Sequence, residues 1–183
     1  MSLPHALLTS LAERPGSGSD LAGRFDRSIG YFWHATHQQI YRELARMAEA
    51  GWIESLPEES TRGRKRAYRL LPAGRKELKR WIALGGQPAP LRDELMVRLW
   101  ADAAVGPAGL AKDVRQRLQL HQDMLARYQA MERREAPPAA DDRAAALRRL
   151  VLQAGLRYER YWIELLLEAL KTLDPAPGAA DAA

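Results

Sequence analysis

Residues 36–51 read Thr36-His37-Gln38-Gln39-Ile40-Tyr41-Arg42-Glu43-Leu44-Ala45-Arg46-Met47-Ala48-Glu49-Ala50-Gly51, and they carry every signal of one helix. Thr36 stands three residues before Gln39, the spacing of a capping box, in which two side chains satisfy backbone N–H groups at a helix start. Ile40, Leu44 and Met47 follow at i, i+4 and i+7 and form one core stripe. Gly51 stands where a left-handed residue closes a helix. His37, Gln38, Tyr41, Arg42 and Arg46 fall on the opposite, polar face.

Upstream, Ser2-Leu3-Pro4 opens a first helix with Pro in its first turn, and Leu3, Leu7, Leu8 and Leu11 make its apolar stripe. Pro15-Gly16-Ser17-Gly18 ends it. Ser19 and Asp20 are the expected caps of a short second helix that turns Leu21 and Phe25 inward. Ser28-Ile29-Gly30 is a break, and Tyr31 and Trp33 read as packing residues at the core edge. Downstream of Gly51 the apolar period changes to two, so residues 52–56 and 67–71 read as strands. The polar loop between them has the tip Arg62-Gly63-Arg64-Lys65-Arg66, four cations in five residues. Pro72-Ala73-Gly74 opens a fourth helix, with Leu78, Trp81 and Ile82 expected inward.

Gly85-Gly86-Gln87-Pro88-Ala89-Pro90 has linker composition. A short helix, 92–102, follows, then two long ones separated by Pro137-Pro138. Leu110, Val114, Leu118, His121, Leu125 and Tyr128 recur at spacings of three and four, as do Leu147, Val151, Ala154, Tyr158, Tyr161 and Leu165. Such stripes suit helix-on-helix packing. The expected organisation is a DNA-binding domain at 1–84, a linker at 85–91, a helical dimerisation domain at 92–174 and a disordered Ala/Pro/Gly-rich tail at 175–183.

Charge divides along the same boundary. Residues 1–84 hold 14 Lys and Arg against 9 Asp and Glu, whereas residues 85–183 hold 14 against 14, so the whole net charge of +5 lies in the first part. A basic domain beside a neutral one points the basic part at a polyanion. The absence of cysteine excludes disulfides and thiolate metal sites and fits a reducing cytoplasm. No apolar run reaches the length of a membrane span, and residues 1–10 lack a basic leader. A cytoplasmic location is expected, with no membrane partner.

Helix, helix, capped helix, strand, basic loop, strand is the order of a winged helix-turn-helix. The fold class is therefore mainly α: three helices plus a two-stranded wing, then a long-helix dimerisation domain. In that fold the third helix enters the major groove of double-stranded DNA, about 12 Å wide. His37, Gln38, Tyr41 and Arg42 would reach base edges, and Thr36 and Gln39 are partly committed to the cap. Arg46 continues that polar face. Gln pairs bidentately with adenine and Arg with guanine. Arg62, Arg64, Lys65 and Arg66 form the wing and meet phosphates or the minor groove.

Nothing in the sequence suggests an enzyme or a resident cofactor. There is no Gly-rich phosphate loop, no nucleophile elbow and no cysteine nucleophile. His34 and His37 lie three apart but straddle the cap, and no nearby carboxylate completes a metal set. Glu58-Glu59 sits in the wing loop and reads as solvated.

Residues 3–84 resemble the PadR family of winged-helix regulators, and the length and C-terminal helices resemble its longer, virulence-activator-like branch. The resemblance rests on Asp20-Leu21, Phe32-Trp33-His34-Ala35, Gln39-Ile40-Tyr41-Arg42-Glu43-Leu44, Met47 and Ala50-Gly51-Trp52-Ile53. It continues through the basic wing and Arg66-Ala67-Tyr68-Arg69-Leu70 into Gly74-Arg75. Pro72 replaces the Thr frequent after the second wing strand, and Tyr41-Arg42 replaces a frequent Tyr-Pro, as in the longer branch. The resemblance implies a homodimer joined by its C-terminal helices that represses, or alternatively activates, nearby genes. Two recognition helices on one duplex face lie roughly 34 Å apart, which implies an inverted-repeat operator.

Relatives of this kind are expected to answer a small aromatic or lipophilic effector. Trp100, His121, Tyr158, Tyr161 and Trp162 are the candidate lining, against the plainer reading that aromatic residues on a seam are packing. Two other classes stay open: a winged-helix protein-interaction adaptor, and a small-molecule-binding helical protein without DNA binding.

Overall fold

The computed structural model describes residues 3–25, 35–56, 66–86, 92–134, 139 and 141–174, and of Phe25 only the backbone. The readings placed on the Phe25 side chain, on 28–34, on Glu58-Glu59, on Arg62, Arg64 and Lys65, on Pro137-Pro138 and on the tail lie outside these residues. The chain divides into two units, Met1–Ala89 and Pro90–Ala183, and is mainly helical.

The first unit runs α1 (Leu3–Glu13), β1 (Gly16–Ser17), α2 (Gly18–Phe25), α3 (His37–Glu49), β2 (Ile53–Ser55), β3 (Ala67–Leu70) and α4 (Pro72–Ala83). Its core joins Leu7, Leu8 and Leu11 of α1, Leu21 and Ala22 of α2, Ile40, Leu44 and Met47 of α3, and Ile53 of β2. The stripes read for α1 and α3 are thus the buried faces. Gly51 has φ 68° and closes α3 in the left-handed region.

The expected two strands pair antiparallel, Ile53 opposite Leu70 and Ser55 opposite Tyr68. A third, β1, adds Gly16 opposite Tyr68 and Ser17 opposite Ala67, giving the order β1-β3-β2. Two residues are too few to show a period of two, so β1 leaves no mark in the hydrophobic pattern. Ser17 also starts α2. Its Oγ accepts from the Asp20 N–H at 3.1 Å, and Asp20 Oδ2 accepts from the Ser17 N–H at 2.9 Å. This reciprocal pair is a capping box on Ser17, and it starts the helix earlier than the expected caps at Ser19 and Asp20.

Pro72 occupies the first turn of α4, where a missing N–H costs nothing. A Cβ on Gly74 would lie 2.3 Å from the Trp52 carbonyl oxygen, so only glycine lets α4 meet the β2 entry at this distance. Leu78 packs on the core as expected. Trp81 and Ile82 correct the reading: they are 39% and 68% exposed. The earlier turns of α4 use up the small core, and Trp81 instead stacks on the His5 ring, with centroids 4.5 Å apart and planes 11° apart.

The second unit holds α5 (Glu94–Val105), α6 (Ala111–Arg134) and α7 (Arg143–Leu173). Asp93 caps α5 through the Leu95 N–H and Asp142 caps α7 through the Ala145 N–H, both at 2.8 Å. Helices α6 and α7 run antiparallel, since Arg115 meets Asp174, His121 meets Glu159 and Glu132 meets Gln153. Leu95, Val114, Trp162 and Leu166 are the buried centre of a core flanked by Leu99, Leu110, Leu118 and Leu165.

Helix α7 overturns its expected phase. The buried residues are Leu152, Gly155, Leu156, Glu159, Trp162 and Leu166, one step on from the stripe read. Leu147, Val151, Tyr158 and Tyr161 are exposed in this chain. The helix carries two apolar stripes side by side, and spacing cannot say which faces its own core. Among the described residues no helix is long and apolar enough to cross a membrane.

Candidate nucleic-acid interface

The recognition-helix candidate is α3, and its start is fixed by the box read from sequence. Thr36 Oγ1 accepts from the Gln39 N–H at 3.2 Å, and Gln39 Oε1 accepts from the Thr36 N–H at 2.8 Å. These bonds satisfy two donors that a helix start leaves open. They also commit Thr36 and Gln39 to holding the helix rather than reaching outward.

Ile40, Leu44 and Met47 face the core, so helical geometry turns the residues between them outward. His37, Gln38, Tyr41, Arg42 and Arg46 are all exposed. The structure brings these five to one helix and gives them unlike settings. Arg46 donates from Nε to Glu43 Oε1 at 3.1 Å. That hydrogen bond, with the carboxylate's charge, raises the guanidinium above its ordinary value. Glu43 was not singled out from sequence, although its i,i+3 spacing to Arg46 is a standard ion-pair signal. Tyr41 is 50% exposed, and its ring lies against the backbone at Gly18, the first residue of α2.

The wing is described at its stem. The Leu56 N–H donates to the Ala67 carbonyl at 2.8 Å, and Glu54 and Arg69 face each other across β2 and β3 as an ion pair. Arg66 is exposed just before β3. Arg62, Arg64 and Lys65 belong to the part beyond this stem that is outside the described residues.

The first turn of α1 and the middle of α4 carry a second polar cluster. His5 Nε2 lies 3.2 Å from Glu77 Oε1, and Arg80 holds the same carboxylate with Nε and Nη2, each at 2.7 Å. The Arg80 hydrogen bond, then that of His5, pulls the Glu77 carboxyl down to about 2. The His5 contact ties α4 to α1, and the Arg80 bonds, made within α4, hold the Glu77 carboxylate in place for it.

Four of the five effector candidates come together in the second unit. His121 stacks on Trp162 with centroids 5.5 Å apart, and Tyr158 and Tyr161 meet Trp162 edge-on at 6.2 and 5.8 Å. Trp100 stands apart at 82% exposure and joins none of these ring contacts. His121 Nδ1 lies 2.5 Å from Glu159 Oε2, and Glu159 is buried. Hydrophobic periodicity had no means of placing this acid inside. Trp162 Nε1 is buried without a hydrogen-bond partner among the described residues. No group of three or more His, Asp or Glu among the described residues comes together as a metal site.

Residues 7–80 match the transcriptional regulator PadR-like family, and residues 91–174 match the virulence activator alpha C-terminal family. A probable transcriptional regulator of Mycobacterium tuberculosis is 39% identical, over 93% of this chain and 98% of its own length. The structure of the Vibrio cholerae virulence activator AphA is similar at TM-score 0.77 and 34% identity, covering 94% of this chain and 98% of that one. Bacillus subtilis PadR in complex with operator DNA is similar at TM-score 0.77 and 26% identity, over 95% of this chain and all of that one. The same regulator has also been solved with p-coumaric acid, similar here at TM-score 0.71 and 26% identity over 94% of this chain and 95% of that one.

Proposed function

The chain belongs to the PadR-like family of transcriptional regulators, and from that premise we propose that it binds double-stranded DNA sequence-specifically as a cytoplasmic homodimer. One observation carries the reading: a capped helix whose core stripe is fully used, leaving His37, Gln38, Arg42 and Arg46 exposed. Gln38 and Arg42 are the residues we assign to base edges, since amide and guanidinium groups each match two acceptor or donor positions on one base. Thr36 and Gln39 hold the helix start. Arg46, shared with Glu43, and the wing cations Arg62, Arg64, Lys65 and Arg66 are assigned to phosphates.

The division of labour follows the charge. The basic first domain, 1–84, meets DNA, and the neutral helices of 92–174 join two copies across the linker. The exposed stripe Leu147, Val151, Tyr158 and Tyr161 of α7 is the surface we assign to that junction, because its three-and-four spacing suits a helix pair. A dimer with two recognition helices reads an inverted repeat. Repression is the sign we favour, as the B. subtilis relative is named a negative regulator. The ring group of His121, Tyr158, Tyr161 and Trp162, which shares its two tyrosines with that junction, is the place we assign to a small aromatic or lipophilic effector, supported by the unpaired Trp162 Nε1 that an acceptor on a ligand would satisfy.

Selection of bound sequences from a random duplex library tests DNA binding, specificity and symmetry at once. A palindromic consensus is expected. Retention of no duplex at any salt would move the chain to the adaptor class, because DNA binding driven by counterion release must strengthen as salt falls.

A further inference from the structure

We infer that Tyr41 is the positioning residue of the recognition helix: its ring, seated on Gly18, fixes how α3 lies against α2, and it does not read a base. The inference rests on the DNA-binding reading above and refines it. Its ground is a single close juxtaposition. A Cβ added to Gly18 would lie 2.3 Å from Tyr41 Cε1 and 2.9 Å from both Cδ1 and Cζ. Non-bonded carbons settle near 3.5–4.0 Å, so no side chain fits at residue 18 while the ring stays where it is.

The glycine has no other reason to be there. Among the described glycines those with positive φ are Gly51, Gly106 and Gly109, so Gly18 is not held by a conformation that favours glycine. The second residue of this pair is also unusual. Tyr41 directly follows Ile40, the most N-terminal core anchor of α3, and therefore sits at the border between buried stripe and polar face. Half its surface is open, yet three of its ring atoms are placed by the first residue of α2.

The consequence is geometric. Leu21 and Ala22 of α2 and Ile40 and Leu44 of α3 pack in one core, but apolar side chains alone tolerate some sliding. A flat ring pressed on bare backbone adds a stop at the end of the helix pair nearest the Thr36 cap. Recognition groups work only when held within about 0.5 Å and 10–20° of their productive pose. The stop thus acts on Gln38 and Arg42, which would contact the bases, while Tyr41 itself stays against protein.

The test is a mutant cycle. Gly18→Ala, Tyr41→Ala, the double variant and Tyr41→Phe are compared by fluorescence anisotropy on the duplex the wild-type chain selects and on random duplex. Circular dichroism melts run alongside. Gly18→Ala is expected to weaken the selected duplex by roughly tenfold, the scale of one bidentate base pairing. Random duplex should change by less than about twofold. In the Tyr41→Ala background the same glycine change should cost less than about twofold on either duplex. Tyr41→Phe keeps the ring and should match wild type. A defect in Tyr41→Phe as large as in Tyr41→Ala would show a hydroxyl bond to DNA and overturn the inference, as would an equal cost of Gly18→Ala in both backgrounds. The two Tyr41 variants alter an exposed side chain, so they decide the question even where Gly18→Ala misfolds. A wild-type chain that selects no duplex defeats the DNA-binding reading instead, which is a separate result.

Discussion

Replacing Ile40 by Ala tests the phase of α3, on which the whole interface depends. Ile40 is buried among Leu7, Leu8, Leu21 and Leu44, and these neighbours come from three helices that cannot all close on the gap. Ile→Ala at such a site costs roughly 2–5 kcal/mol, the lost transfer energy plus the cavity left behind. Taking about 3 kcal/mol, a unit of this size loses roughly 12–24 °C of melting temperature. Gln38, two residues earlier, is exposed, and Gln38→Ala should stay within about 0.5 kcal/mol, or roughly 2–4 °C. Melting by far-ultraviolet circular dichroism reads both. Duplex selection in the cold, where the Ile40 variant is still folded, reads the other half of the claim. The Ile40 variant should keep the wild-type base preference, and the Gln38 variant should relax it at defined positions. Opposite results, a stable Ile40 variant with altered preference and an unstable Gln38 variant with none, would show that α3 is turned the other way and would remove the interface.

Removing charge at Arg64, Lys65 and Arg66 should weaken all duplex sequences alike and lower the slope of log affinity against log salt by about 0.9 for each phosphate no longer neutralised, and an unchanged slope would take the wing off the DNA. Val151→Asp with Tyr158→Asp should shift the chain to monomer on gel filtration at micromolar concentration, since each puts a charge into the assigned junction, and a persistent dimer would place that junction elsewhere. The Glu77 carboxyl, held at about 2 against the ordinary 4.5, contributes stability above its unfolded value that is lost as pH falls toward the folded one. The wild-type melting temperature should therefore drop faster than that of Glu77→Gln between pH 4.5 and 2, and parallel profiles would refute the role given to the His5–Glu77–Arg80 cluster.

The capped helix α3 was legible because its signals are local and mutually consistent. Thr36 and Gln39 bond each other, Ile40, Leu44 and Met47 share a face, and Gly51 takes the conformation that favours glycine. Each statement needs only a few neighbouring residues. What failed to appear depends on distant ones. Strand β1 exists because β3 lies beside it. Ile82 has the apolar character of a core residue and stays 68% exposed, because the turns of α4 before it fill the space available. The seat of Tyr41 on Gly18 joins residues 23 apart in the chain, and a lone glycine before a helix reads as a turn signal whether or not a ring will lie on it.

The phase of α7 shows where such reading stops and what replaces it. Residues 147–166 supply two apolar stripes, and a rule that puts hydrophobic groups inside is satisfied equally by either. Glu159 marks which stripe the structure buries: it lies on the inner face with its carboxylate met by His121 on α6, as a buried acid requires a partner. The same face buries Leu152, Leu156, Trp162 and Leu166, while Leu147, Val151, Tyr158 and Tyr161 face out. A helix stabilised on one face by its own unit has no need of a second apolar stripe with the same three-and-four spacing. Such a stripe acquires a role once a second copy is admitted, and the proposed reading of an inverted repeat by two recognition helices requires that copy. The buried acid on the inner face is thus the reason we set the partner on the outer one.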